Sequence, residues 1–180
     1  MNAEDFARRV KKAQEGDADA FAELYSLVYK ELYHIALVNL KNQHDASDVV
    51  SDTVLEAYSS IKKLRDEKAF KAWIIKILTA KIKRKQKEYI KKRDYQQDID
   101  DLENAEGVEQ KISREINYGG LEIMEEFRRL SEDERLVLSL SVVSGYTSEE
   151  IAKVTGLSAN TVRSKAARAK IKLRKMLEER

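Results

Sequence analysis

The chain has 180 residues, 37% of them charged, with six glycines and neither cysteine nor proline. That length allows one ordinary domain or two small ones, and the missing cysteine excludes disulfides and thiolate-held metals. No apolar run reaches the roughly 18 residues needed to span a bilayer, and the N-terminal stretch lacks a secretory apolar segment, so a cytoplasmic protein is expected.

Scarce glycine, absent proline and long runs rich in Ala, Glu, Lys and Leu predict an all-α fold. The net charge of +2 hides an uneven distribution. From Lys81 to Arg93 there are eight basic residues against Glu88, and from Asp94 to Glu115 there are eight acids against Lys111 and Arg114. From Arg163 to Lys175 there are seven basic residues and no acid. Two basic blocks around an acidic one point to two phosphate-facing surfaces and a connector.

In chain order, residues 4–15 read as a short amphipathic helix closed by Gly16, with Phe6 and Val10 on its apolar side. A longer helix is expected over 18–40, burying Phe21, Leu24, Leu27, Val28, Leu32, Ile35 and Leu40. Residues 39–44 read as a connection, and Asp45 as the cap of a third helix whose inner side carries Val49, Val50, Val54, Leu55 and Ile61. After a break over 64–68, a fourth helix carries Phe70, Trp73, Ile74, Ile77 and Leu78, then turns into the basic arm KIKRKQKEYIKKR. Residues 94–107 are acidic and poor in apolar side chains, which reads as a flexible linker. A helix is expected over 121–130. Ser131 and Glu134 then form a capping box for the helix bearing Leu136, Val137, Leu138, Leu140 and Val143, which Gly145 ends.

TSEEIAKVTGLSANTVRSKAARAK, residues 147–170, carries the strongest motif. Thr147 and Glu150 form a second capping box, Gly156 suits a left-handed turn position, and Ser158 can cap the next helix. Val162, Ala166, Ala169 and Leu173 make one apolar stripe, leaving Thr161, Arg163, Ser164, Lys165 and Arg168 off it. Charge runs usually only solvate a face. Here two caps, a turn glycine and a basic second helix occur at the spacing of a helix-turn-helix, which favours contact with duplex DNA.

Two segments together resemble one family. DAFAELYSLVYKELYHIALVNLKNQHDASDVVSDTVLEAYSSIKKL, followed by FKAWIIKIL, resembles region two of the bacterial extracytoplasmic-function sigma factors. LSEDERLVLSLSVVSGYTSEEIAKVTGLSANTVRSKAARAKIKL resembles their region four. The resemblance implies two small helical domains, residues 1–93 and 119–180, joined by an acidic flexible linker over 94–118. It also implies a specificity subunit that binds core RNA polymerase and recognises double- and single-stranded promoter DNA, held partly inactive when free either by packing of region two on region four or by an anti-sigma partner of the kind common in this family.

By the same resemblance, Asp45, Asp48, Val49, Asp52, Thr53 and Glu56 lie on the polymerase-binding helix, whose acidic face suits a basic partner. Lys71, Trp73, Lys76, Thr79, Lys81, Lys83 and Arg84 fall in the stretch that meets the minus-ten element, where rings and cations suit single-stranded DNA. The periodicity of Phe70 and Trp73 also fits a core stripe. Thr79 and Ala80 stand where many relatives have Arg-Asn, and Arg84 where an Asp is frequent. Asn160, Thr161, Arg163, Ser164, Lys165 and Arg168 match the helix that enters the major groove at the minus-thirty-five element. Side chains of these types can read base edges or hold phosphates, and the sequence does not separate the two.

An enzyme is the main rival class. His34 and His44 are the only histidines, no metal or other cofactor is expected, and the phosphate-loop, zinc-protease and serine-elbow motifs are missing. The other rival is a helix-turn-helix regulator that never joins polymerase. The acidic helix beginning near Asp45 separates the two readings.

Overall fold

The computed structural model describes residues 3–100, 127 and 129–178. Among these are seven α-helices and no strand. Helix α1 spans Ala3–Glu15, α2 Ala18–Leu40, α3 Gln43–Ser60, α4 Phe70–Asp100, α5 Glu132–Val143, α6 Ser148–Thr155 and α7 Ala159–Glu178.

Local chemistry explains most boundaries. Gly16 ends α1 at φ 104°, and the Asp17 carboxylate then accepts from Ala20 N at 2.9 Å to start α2. Lys41, left-handed at φ 61°, ends α2, and Asn42 caps α3 by accepting from Asp45 N at 3.0 Å. The expected six-residue connection is therefore nearly absent, and Asp45 lies inside the first turn of α3 and does not cap it. Asn and Asp cap equally well; the tight reversal at Lys41 gives the position to Asn42. Two short 3-10 turns, Ile61–Lys63 and Glu67–Ala69, fill the break before α4. Gln14 of α1 holds the first by donating to the carbonyls of Ile61 and Leu64, at 3.2 and 2.7 Å.

Helix α4 does not stop where the acidic block begins. It continues through residues 94–100, because nothing there breaks a helix and the next glycine is Gly107. The rest of the expected linker lies outside the described residues. So does the expected helix over 121–130, apart from helical Phe127 and the turn at residues 129–130. Ser131 and Glu134 form the expected capping box of α5, and Ser144 holds its C-cap, with Gly145 following at φ 67°.

Helices α1–α4 bury Leu24, Leu32, Ile35, Phe70, Ile74, Ile75, Leu78 and Ile82 completely. Phe6 and Phe21 meet the Phe70 ring edge-on, at 5.8 and 6.5 Å between centroids. Each such large apolar side chain contributes roughly 1.5–3 kcal/mol by leaving water. Leu27 and Leu55, expected inside, are instead exposed. Helices α5–α7 form the second unit, and its core is continuous with the first: Leu136, Val137, Leu140, Ile151, Val154 and Val162 join the same buried cluster. Leu130, Leu138 and Ala169 make a smaller cluster of their own. Among the described residues, docking between the units is carried by helix faces, α5 on α2 and α6 on α4.

Candidate nucleic-acid interface

The helix-turn-helix forms as its local signals require. Thr147 and Glu150 exchange both bonds of the capping box at the start of α6. Gly156 ends α6 at φ 76°, and Thr161 N donates to Ser158 Oγ at 3.1 Å to open α7. Ile151, Val154 and Val162 are buried, with Ala152, Leu157 and Ala166 packed against them. This leaves Asn160, Arg163, Ser164 and Arg168 exposed along one side of α7.

Two of the six candidate readers stand apart from that side. Lys165 turns toward α5 and pairs with Asp133 at 2.9 Å, leaving its side chain 20% exposed. Thr161 is half-buried, and its hydroxyl lies 2.8 Å from Ser158 Oγ. Arg163 is held from both helices of the motif: Nη1 donates to Glu149 Oε1 at 2.6 Å and Nη2 to Asn160 Oδ1 at 2.7 Å. Arg168 Nε donates to the Ser164 carbonyl at 3.3 Å. Sequence reading passes over Glu149, since its partner lies 14 residues away.

The second candidate surface, on α4, is divided, with Thr79, Lys83 and Lys71 meeting residues of the C-terminal unit and the others not. Thr79 is buried, with its hydroxyl 2.9 Å from the Val154 carbonyl and 2.9 Å from that of Lys76. Lys83 Nζ donates to the Thr155 carbonyl at 2.6 Å. Both acceptors belong to the last turn of α6, where carbonyls lack helical partners and a cation is favoured by the helix dipole. Lys71 pairs with Glu31 at 2.9 Å and lies over the Tyr146 ring at 5.9 Å. Burial first, then the nearby Glu31 and Glu150, pushes the Tyr146 phenol up to about 12. Trp73 is half-buried against Phe70, 5.9 Å between ring centroids, as its core periodicity predicts. Lys76 and Arg84 are exposed, whereas Lys81 reaches back to Glu56 of α3 at 2.8 Å.

The third surface is the outer side of α3. Asp48, Asp52 and Glu56 are exposed there beside Leu55 and Tyr58, which are 68% and 47% exposed. Val49 and Thr53 face the interior, and the Thr53 hydroxyl donates to the Val49 carbonyl at 2.7 Å. Asp45 turns toward α4, accepting from Lys85 Nζ at 2.8 Å and from Tyr89 Oη at 2.5 Å. Burial alone would raise its carboxyl, but the bonds from Lys85 and Tyr89 outweigh it and hold the group below its ordinary value. His44 pairs with Asp48 at 3.0 Å. Between α3 and α4 runs a cleft of about 310 Å³, lined by Asp48, Asp52, Lys81, Arg84, Lys85 and Glu88 among others.

The Sigma-70 region 2 family model matches residues 20–95, and the Sigma-70 region 4 model matches residues 120–173. The chain is 27% identical to the ECF RNA polymerase sigma factor SigW of Bacillus subtilis, over 96% of each chain. Its fold is similar to that of CnrH solved in complex with the cytosolic domain of CnrY, with a TM-score of 0.71, 23% identity and 99% of each chain covered. It is also similar to the sigma factor RpoE solved with the anti-sigma factor NepR from Bartonella quintana, with a TM-score of 0.67, 24% identity, and coverage of 88% of this chain and 96% of that one.

Proposed function

This chain belongs to the extracytoplasmic-function sigma factors of the sigma-70 family, and from that premise we propose how its surfaces divide the work of an RNA polymerase sigma factor. The outer side of α3 docks on core polymerase, α4 meets the minus-ten element, and α7 reads the minus-thirty-five element. Residues 1–93 and 119–180 are the two working units, with residues 94–118 between them and the end of α4 forming the first part of that connection.

One observation carries this reading over that of a stand-alone DNA-binding regulator. Leu55 lies open to solvent on α3, flanked by Asp52 and Glu56, and beside it Tyr58 is half-exposed with its ring edge-on to Phe21 at 5.0 Å between centroids. An exposed apolar patch ringed by charge marks a surface that a partner covers. The acids then orient docking on a basic partner. Asp48, Asp52 and Glu56 supply that charge, while Val49 and Thr53 shape the helix from inside and Asp45 fastens it to α4.

Contact between DNA and Thr79 or Lys83 requires α6 to leave α4, because the carbonyls of Val154 and Thr155 occupy both side chains. The packed arrangement is accordingly the resting one, and joining polymerase separates the units. An anti-sigma protein that favours the packed arrangement is the natural antagonist, consistent with RpoE having been solved with its anti-sigma factor. Catalysis belongs to the polymerase, and the working place is the cytoplasm; among the described residues no helix is long and apolar enough to cross a membrane.

Charge reversal tests the docking face. Asp48→Lys with Asp52→Lys, both exposed positions, should abolish co-elution with purified core polymerase while the helical signal and unfolding midpoint stay near those of the parent. Unchanged co-elution of that variant would refute the polymerase-binding role of α3.

A further inference from the structure

We infer that Glu149, on the first helix of the motif, is a positioning residue that determines specificity by aiming Arg163 at its base. The inference rests on the reading of α7 as the minus-thirty-five reader. Arg163 is gripped from two helices, by Glu149 Oε1 at 2.6 Å and by Asn160 Oδ1 at 2.7 Å. Both grips start from fixed backbone. The capping box of Thr147 and Glu150 holds the turn carrying Glu149, and the Ser158 cap holds the turn carrying Asn160. Two of the five guanidinium N–H donors are engaged, and three are left for a base edge.

Stability is a poor reason for this pair. Its side chains are 62% and 54% exposed, and ion pairs so open to water contribute little to folding. The α7 pairs that run inward to α5 are different, with Glu134 only 6% exposed opposite Lys172. A carboxylate beside the DNA-facing side of α7 also repels phosphate, so it lowers affinity unless it does something for selectivity. Two effects follow from the geometry. The two contacts on Arg163 bias it away from the nearest phosphate, the commoner fate of a basic side chain. Its charge is also partly neutralised, which reduces sequence-independent attraction. Binding to wrong sequences falls more than binding to the right one, and specificity is that difference.

The test uses the full chain assembled with core polymerase and a pool of promoter duplexes randomised across the upstream element. Selection with Arg163→Ala identifies the base position whose preference depends on Arg163. Glu149→Ala should weaken preference at that same position about tenfold and spare the others. It should also steepen the salt dependence of binding to a non-promoter duplex by about one unit of slope. Preference lost in Arg163→Ala but intact in Glu149→Ala overturns the positioning role and leaves α7 as the reader. Preference intact in both variants overturns the role and that reading together. A loss spread evenly over all positions in Glu149→Ala marks a damaged fold of the motif and likewise overturns it.

Discussion

At the scale of single residues, the exposed side of α7 sorts its cations by what holds them. Arg163 is fixed by Glu149 and Asn160, Arg168 leans on its own helix, and Lys165 is committed to Asp133. Arg163→Ala should therefore cost on the order of 1–3 kcal/mol in promoter binding and relax preference at one base, whereas a residue on phosphate loses affinity uniformly and lowers the salt slope by about one. Arg168→Ala is expected to behave in the second way, measured by titrating promoter and non-promoter duplexes over a salt series. Caps and the turn glycine were legible because each acts within three residues: Thr147 with Glu150, Ser158 with Thr161. Glu149 with Arg163 and Lys165 with Asp133 were not, since no local rule pairs side chains 14 or 32 positions apart. Asp45 has the same capping chemistry as Asn42, and only the reversal at Lys41 decides between them.

Among the elements, the helix-turn-helix and the α3–α4 pair have separate weak points. Gly156 sits at φ 76° with open space where a Cβ would go, so Gly156→Ala meets backbone strain and no clash. About 1–2 kcal/mol of unfolding free energy should be lost, read by denaturant titration. The α3–α4 pair depends on pH through Asp45. Its carboxyl is held below the ordinary 3.8 despite burial, so its contribution is full above that value and is lost as pH falls through the lower folded value. At the alkaline end Tyr89 is raised above 10.0, by burial first and then by Asp45, so its contribution is full below 10.0 and fades above it. Asp45→Asn should flatten the acid limb of the stability curve without abolishing it. Glu134 remains: burial opposes its ionisation, but Lys172 and Ser131 outweigh that and hold it low. Helix types and most starts were legible from periodicity and caps. The end of α4 was not, because an acidic composition argues for a linker while residues 94–100 contain nothing that stops a helix.

Across the whole molecule, two units recognisable from sequence share one buried core. Leu136, Val137, Leu140, Ile151 and Val154 could be read as the inner faces of their own helices, but only the fold shows that they also cover α2 and α4. The hydrogen bond from Asn39 Nδ2 to Ser139 Oγ, at 3.0 Å, and the α6 carbonyls held by Thr79 and Lys83 complete that seam. Combining Thr79→Val with Lys83→Ala removes both polar ties to α6 and should shift the free chain toward separated units, seen as a larger radius in small-angle scattering; an unchanged radius would mean that the apolar seam and the Asn39–Ser139 bond hold the units without them. With polymerase holding both units on one DNA, neither would need to bind tightly alone, because the effective concentration of the second is high.

Whether these surfaces act together as a polymerase specificity subunit is decided by initiation in vitro. Purified core polymerase, the chain and genomic fragments from its own organism should yield transcripts with defined 5′ ends that require the chain and disappear with Asp48→Lys and Asp52→Lys. Duplex binding by the chain alone, with no chain-dependent transcript from any fragment, would make it a DNA-binding regulator that does not direct initiation.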